Sequence, residues 1–277
     1  MNEMIEIMEH ALEDSLPMLP VLFIAYFILE IYEHRSNEDS EYVLLKKYGP
    51  LFGSFLGIIP QCGVSIVAAT MFLDKKITIG TLISIFIVTS DEAVPILLAN
   101  PELYGSILQL IVVKVIVAIA VGYFVDAVFK QFKMYNGKYT TSKSQSCDTH
   151  ESTLVAALKH TVKIFGFILL VNLLLTFVLH EVGEDTLSKV LLTDTVFQPV
   201  IAALFGFIPN CAASVVLTQL FASGILSFGA LSAGLITNAG LGLLILLRYR
   251  IDKKYFLFII SVLFVAAILT GSVLSFF

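Results

Sequence analysis

Eight long apolar stretches constrain this 277-residue chain more than any other feature of its sequence. Each approaches or exceeds the roughly 20 residues that a helix needs to cross the hydrocarbon core of a bilayer. Hydrophobic residues make up 57% of the chain, above the roughly 45–50% of soluble domains. The sequence therefore predicts an all-α polytopic membrane protein whose main partner is the lipid bilayer. The stretches cover about residues 17–33, 49–73, 77–98, 105–130, 161–180, 196–222, 225–247 and 255–277.

The second half of the chain repeats the first at a constant offset of 149 residues. Chance matches between apolar segments explain isoleucine on isoleucine, but not a Gly-x-x-Pro-x-Cys-x-x-Ser pattern twice at one offset. Internal repeats of this kind are a recurring feature of secondary transporters. The pairs that match without a gap include Pro50 and Pro199, Gly57 and Gly206, Pro60 and Pro209, Cys62 and Cys211, Ser65 and Ser214, Gly80 and Gly229, and Gly122 and Gly271.

The distribution of lysine and arginine decides between parallel and inverted halves. If all eight stretches cross the membrane, the basic residues divide evenly between the two sides, against the positive-inside rule. If 49–73 and 196–222 are re-entrant helical hairpins, fifteen basic residues lie on one side and only Lys189 on the other, with Lys114 inside the membrane. A proline-kinked single crossing is the alternative for each stretch, since Pro60 and Pro209 block a continuous helix.

The hairpin model predicts two inverted-topology repeats, each with three transmembrane helices and one re-entrant hairpin. Repeat 1 covers 1–130 and repeat 2 covers 161–277, with a cytoplasmic linker at 131–160. Both termini then lie on the external side of the inner (plasma) membrane. Cys147 and His150 belong to the linker and are expected to be solvated loop residues.

Polar residues gather at four predicted interruptions of the apolar stretches. Two are the hairpin tips and two lie within the crossings that follow, where Thr89 aligns with Thr237 after a one-residue shift. Non-helical backbone at membrane depth occurs only where it is buried in protein or lines a cavity. We therefore predict a substrate site formed by Gln61, Cys62, Ser65, Thr89, Ser90, Asp91, Glu92, Asn210, Cys211, Ser214, Thr237 and Asn238.

Three ionisable residues inside the apolar stretches are candidates for energy coupling: Asp91, Glu92 and Lys114. An aspartate at the centre of a membrane helix costs roughly 2.5–3.5 kcal/mol on insertion scales, so its presence there indicates function. Alternatively, Asp91 and Glu92 lie at the outer interface. Lys114 lies near the centre of its stretch and predicts a carboxylate partner, Asp91 or Glu92, in either a coupling or a structural role.

Thiols and oxygens are both available as metal ligands. Thiols favour soft ions, whereas carboxylate, carboxamide and carbonyl oxygens favour Mg²⁺, Ca²⁺ or Mn²⁺, and the sequence does not choose between them. A buried cysteine can also act as a small hydrophobe that only packs. All five histidines lie outside the stretches or at their ends, so an imidazole-rich zinc or copper site is not expected. The candidate ligands are Asp91, Glu92, Asn210, Asn238, Cys62 and Cys211.

Four segments make the chain resemble the family of ten-segment proteins described as heavy-metal exporters, which is related to the organoarsenical permeases. They are 57–63 (Gly-Ile-Ile-Pro-Gln-Cys-Gly), 89–92 (Thr-Ser-Asp-Glu), 207–218 (from Phe-Ile-Pro-Asn-Cys) and 227–231 (Ser-Phe-Gly-Ala-Leu). Members are often labelled manganese transporters or arsenic efflux proteins. The resemblance implies a transporter, and ten segments result if each half of a hairpin is counted separately.

The leading hypothesis is a secondary-active transporter that exports a manganese-like divalent metal ion or a metalloid, coupled to protons through Asp91 and Glu92. A permease for a small organic or organoarsenical solute is the alternative, and a channel or an intramembrane enzyme fits less well. No nucleotide-binding loop and no catalytic constellation is recognisable, so neither an enzyme activity, nor a cofactor, nor a nucleic-acid partner is expected. A homo-oligomer is compatible with the sequence.

Overall fold

The structure, a computed structural model, describes residues 41–58, 62–89, 93–98, 103–131, 197–209, 211–249 and 251–275, together with Phe23, Leu158, Val162 and Gly166. Within these residues every regular element is a helix. In chain order the helices are α1 (Glu41–Leu56), α2 (Cys62–Leu73), α3 (Ile79–Val88), α4 (Ala93–Leu98), α5 (Tyr104–Gln131), α6 (Gln198–Gly206), α7 (Cys211–Ala222), α8 (Phe228–Thr237), α9 (Gly242–Arg248) and α10 (Lys253–Ser275).

These helices belong to one compact unit, Tyr42–Thr141 with Leu187–Phe277, apart from the first residue of α1. The other unit, Met1–Glu41 with Ser142–Thr186, falls almost wholly outside the described residues. The predicted crossings at 17–33 and 161–180 and nearly all of the predicted linker also lie outside them. The predicted domain boundaries therefore remain predictions.

Three segments in the described part of the chain are long and apolar enough to cross a membrane: Tyr104–Val128, Phe228–Arg248 and Lys253–Ser275. In its most apolar window, Phe228–Arg248 has 89% of its residues buried, whereas the other two have 28%. Phe228–Arg248 therefore lies in the protein interior, whereas Tyr104–Val128 and Lys253–Ser275 turn most of their apolar surface outward. The prediction of an all-α polytopic membrane protein is confirmed at this level.

Four helices are too short to cross a bilayer singly, among them α8, which forms the first part of the segment Phe228–Arg248. The helices α2 and α7 have 12 residues each, and α3 and α8 have 10 each. At 1.5 Å per residue these helices are about 15–18 Å long, roughly half of a bilayer core.

Four of the five described helix pairs begin at equivalent positions in the two halves. The N-terminal cap recurs as well: Thr78 Oγ1 accepts from Thr81 N (3.1 Å), and Ser227 Oγ accepts from Ala230 N (3.2 Å). The same local signals thus start α3 and α8. The starts that lie 149 residues apart are Cys62 and Cys211, Ile79 and Phe228, Ala93 and Gly242, and Tyr104 and Lys253.

Glycines allow close contact between α3 and α5, and between α8 and α10. A Cβ atom on Gly80 would overlap the carbonyl oxygen of Gly122, and one on Gly229 would overlap that of Gly271. Small residues at such contacts let two membrane helices approach through their backbones. Gly80 lies at the start of α3 and Gly122 near the end of α5, so this pair of helices is antiparallel.

The helices α1 and α2 form a hairpin beside α3. A Cβ atom on Gly49 would overlap the Thr81 side chain, and one on Gly57 would come within 3.0 Å of Val88 Cβ. The helix α1 therefore runs parallel to α3, from the level of Thr81 to that of Val88. Because α2 ends just before α3 begins, the end of α2 lies near the level of Gly49 in α1.

The helices α6 and α7 form the equivalent hairpin beside α8. Gln198, the first residue of α6, donates through Nε2 to Ile225 O (3.2 Å) and accepts through Oε1 from Ser227 N (3.2 Å). Since Ile225 follows the end of α7, these bonds close the base of the hairpin. Further along, Thr237 Oγ1 on α8 donates to Ala203 O on α6 (2.7 Å).

Candidate functional site

The helices α3 and α8 are interrupted at equivalent positions in the two halves. The helix α3 ends with Thr89 as its C-cap (φ −53°, ψ 126°), and α8 ends with Asn238 as its C-cap (φ −77°, ψ 76°). These caps keep the offset of 149 residues, so the predicted one-residue shift that paired Thr89 with Thr237 is wrong. Val88 occupies the place equivalent to Thr237, because the chain leaves helical conformation one residue later in each half.

Lys114 on α5 lies where these two interruptions meet. Its side chain is only 1% exposed, and its Nζ donates to Thr89 O (2.8 Å) and Leu235 O (3.1 Å). Burial of a charge is costly unless polar groups compensate for it, and carbonyls at helix C-termini carry partial negative charge. One ammonium group thus links the interrupted helices of the two halves. The predicted partners Asp91 and Glu92 lie outside the described residues, so that pairing remains a prediction.

Polar side chains at the interruptions hold the local backbone. Asn238 is 4% exposed, and its Oδ1 accepts from Gly240 N (3.2 Å), a glycine with a left-handed φ of 55°. The Thr89 hydroxyl donates to Ile85 O (2.7 Å), and the Thr237 hydroxyl is bound to α6 as described above. A hydroxyl that donates can still accept a hydrogen bond, and both hydroxyl-bearing side chains are buried.

The hairpins of each half contact the interrupted helix of the other half. Ser65 on α2 and Ser214 on α7 are fully buried. A Cβ atom on Gly242, the first residue of α9, would come within 2.8 Å of Ser65 O, so α2 packs tightly on α9. Reciprocally α7 packs on α4, and Leu97 and Leu217 share one buried apolar cluster.

The remaining predicted site residues cannot be located in the described structure. The backbones of Cys62 and Cys211 begin α2 and α7, but their side chains lie outside the description. The structure thus brings together Thr89, Lys114 and α8, and separately Ser65 and α9. The carbonyl partners of Lys114 were missed because no sequence pattern marks which carbonyl faces a lysine from another helix. The predicted residues that are wholly outside the described part are Gln61, Ser90, Asp91, Glu92 and Asn210.

The family model described as "Putative, 10TM heavy-metal exporter" matches residues 19–187 and 173–277, and so covers nearly the whole chain. The chain belongs to this family. This confirms the resemblance seen in the sequence, and it places this member of the heavy-metal exporter family with multi-pass membrane transporters. Searches of curated proteins and of solved structures gave no match.

For a heavy-metal exporter, the described part of the site offers mainly oxygen ligands. Of the six predicted metal ligands, Asn238 is the one whose side chain is described. Among the described residues no group of three or more His, Cys, Asp or Glu side chains could hold a metal ion. The predicted ligand set rests chiefly on residues outside the description and remains a prediction.

Proposed function

We propose that this member of the exporter family is a secondary-active transporter that exports a manganese-like divalent metal ion or a metalloid. The observation that carries the proposal is the meeting of one interrupted helix from each half at a single buried side chain, Lys114. Secondary transporters with internal repeats bind substrate and coupling ions at such interrupted helices, near the bilayer midplane. The helix ends supply oxygen ligands there without a dedicated cage of side chains.

The two halves are inverted, and each hairpin is re-entrant. The length of α2 and α7, about 18 Å, suits helices that enter half of the bilayer and return. The bonds of Gln198 to both sides of the α7–α8 turn support a hairpin that starts and ends at one level. Six crossings plus four half-helices also give the ten segments of the family. With the positive-inside rule, linker 131–160 is cytoplasmic, and both termini are external in the inner (plasma) membrane.

Asp91 and Glu92 couple export to protons. They follow Thr89 directly in the chain, at the interruption that Lys114 binds. Two carboxylates and one ammonium give the empty, unprotonated site a net charge of −1, which favours a divalent cation. When the cation leaves, protonation of one carboxylate makes the site neutral. Cys62 and Cys211 begin equivalent helices and supply soft ligands from opposite halves if the solute is thiophilic.

A permease for a small organic or organoarsenical solute is the second candidate, and the described surroundings suit an uncharged solute. Beside the hydroxyl and amide groups at the interruptions lies an apolar wall, in which Gly242 packs on the Phe86 ring. A solute without charge needs no acidic ligand cluster and gains from apolar contact.

Reconstituted vesicles test the proposal directly. Purified protein is assayed for transport of Mn²⁺, arsenite and methylarsenite, with and without an imposed pH gradient. We expect gradient-driven transport of at least one of these, lost in Asp91→Asn and Glu92→Gln because a carboxamide can neither release a proton nor carry charge. Asp252→Asn, which changes an exposed carboxylate at the start of α10, serves as the matched control and should transport normally.

Normal transport by both carboxamide variants would contradict the coupling role and favour an interfacial position for the acidic pair. Elution of every variant as a single species in size-exclusion chromatography, at the volume of the wild type, shows that any lost transport is not lost folding.

A further inference from the structure

The carbonyl groups that bind Lys114 are ends of helices rather than side chains. Thr89 is the C-cap at which α3 stops, and Leu235 lies in the last turn of α8. In a continued helix Leu235 O would accept from Ala239 N, but Ala239 N donates to Thr237 O (2.8 Å). Two carbonyl oxygens from two helix ends therefore converge on one point in the interior.

Electrostatics favours a positive charge at this point. The C-terminus of a helix carries roughly half a negative elementary charge, so two such ends together supply about one. The Lys114 ammonium supplies one positive charge in return. In transporters with interrupted helices, half-helix C-termini and unwound carbonyls coordinate the coupling Na⁺.

The ammonium enters from one half only. Leu263 on α10 is the residue 149 positions after Lys114, and it is fully buried. The repeat therefore provides two equivalent positions, of which one carries a cation and the other an apolar side chain.

We propose that the carbonyl ends of α3 and α8 form a site for a small monovalent cation, and that the Lys114 ammonium occupies it as a tethered cation. The wild-type protein consequently neither binds Na⁺ at this point nor needs it. Removal of the ammonium leaves a site that Na⁺ or a small alkylammonium ion can fill. The binding part of this inference is independent of which solute is exported, and only its meaning for energy coupling rests on the proposed function.

Thermal unfolding of the purified, detergent-solubilised full chain tests the site without any transport assay. Wild type and Lys114→Ala are compared in choline, sodium and n-propylammonium chloride at equal ionic strength; propylammonium replaces the atoms that the substitution removes. We expect the same wild-type Tm in all three salts. The variant should have a lower Tm in choline, raised saturably by propylammonium or Na⁺, by roughly 3–6 °C at ten times the Kd.

Three matched variants sharpen the test. Lys114→Arg keeps the charge and should not respond to Na⁺. Leu263→Ala removes a buried side chain at the equivalent position, and should lose Tm in all salts without specific recovery. Lys114→Gln, whose amide can still donate to one carbonyl, repeats the measurement if the alanine variant does not fold.

Two results would overturn the proposal. One is the absence of a saturable, cation-specific rise in Tm for both the alanine and the glutamine variant. The other is a sodium-specific rise in the wild type, which remains measurable even if neither variant folds. Either result leaves the proposed export function standing, whereas failure of vesicle transport with an intact cation response would count against that function alone.

Discussion

Gly122→Ala tests the closest helix contact in the first half. A Cβ atom there would overlap Ser84 Oγ and come within 2.8 Å of Pro50 Cβ and 2.9 Å of Gly80 O. The Ser84 hydroxyl cannot turn away without cost, because its single proton is shared between Gly80 O (2.9 Å) and Ala118 O (2.8 Å). Two of the three neighbours are the backbone of α3 and the proline ring of α1, so α5 must move away from both helices as a whole.

The expected change in the free energy of unfolding is the sum of two unfavourable terms and one favourable term. Overpacking costs about 1–3 kcal/mol, and loss of the interhelical hydroxyl bond costs about 0.6 kcal/mol in a membrane protein. Alanine in place of glycine regains up to about 1 kcal/mol of helix propensity. The substitution should therefore destabilise the fold by about 1–3 kcal/mol and lower its Tm by roughly 2–12 °C.

Circular dichroism in detergent is the assay, because the chain contains no tryptophan for intrinsic fluorescence. Gly105→Ala is the matched control: it lies in the same helix, is exposed, and its Cβ would meet nothing within 4 Å. Its Tm should stay level or rise slightly. Gly271→Ala, which meets Ala233 and Pro199 in the second half, should lower Tm as Gly122→Ala does. Equal Tm values for Gly105→Ala and Gly122→Ala would refute the close packing.

Three further outcomes are expected. Lys75 and Ser223 are exposed and lie in the turns that follow the two hairpins. In a protein whose native cysteines are replaced by serine, Lys75→Cys and Ser223→Cys should react with an impermeant maleimide from opposite sides of the membrane. Labelling of both from the same side would contradict inverted halves. Cys62→Ser and Cys211→Ser should each weaken transport of a trivalent arsenical but spare Mn²⁺, which prefers oxygen; equal losses for both solutes would exclude selection by thiols. Ser232→Ala should raise Tm. Among the described residues the buried Ser232 hydroxyl has no hydrogen-bond partner, and burial of such a group costs about 1–3 kcal/mol. A lower Tm would show that the hydroxyl is hydrogen-bonded.

The class of fold could be predicted because a membrane helix is recognisable in the sequence as a long apolar stretch. The positions of the helix breaks were also recognisable, since Thr89 and Asn238 stand beside polar and glycine residues that interrupt apolar runs. The predicted pairing of Thr89 with Thr237 was wrong by one residue. The two threonines share a side chain, but the equivalent backbone positions, the C-caps, are Thr89 and Asn238.

The partners of Lys114 could not be predicted for a different reason. Its depth in an apolar stretch shows that it needs compensation, and a carboxylate is the obvious choice. That pairing remains a prediction, and the described structure gives Lys114 the carbonyls of Thr89 and Leu235, which every residue possesses and which no residue type signals. Which carbonyls are free depends on where the helices end in space, and this is a property of the assembled fold.

The two hairpins differ in how they contact α3 and α8. In the proposed transporter the α1–α2 hairpin is the first gate and the α6–α7 hairpin the second, and this difference predicts that the two gates open at unequal rates. Gly57 meets α3 through the apolar Val88 side chain, whereas α6 is tied to α8 by the hydrogen bond from Thr237 to Ala203 O. A movement that separates α6 from α8 must break that bond, at about 0.6–1.7 kcal/mol in a membrane protein. At equal packing the first gate would open roughly 3- to 20-fold faster than the second. Exposure of the central site to one side of the membrane would then be briefer and more frequent than to the other.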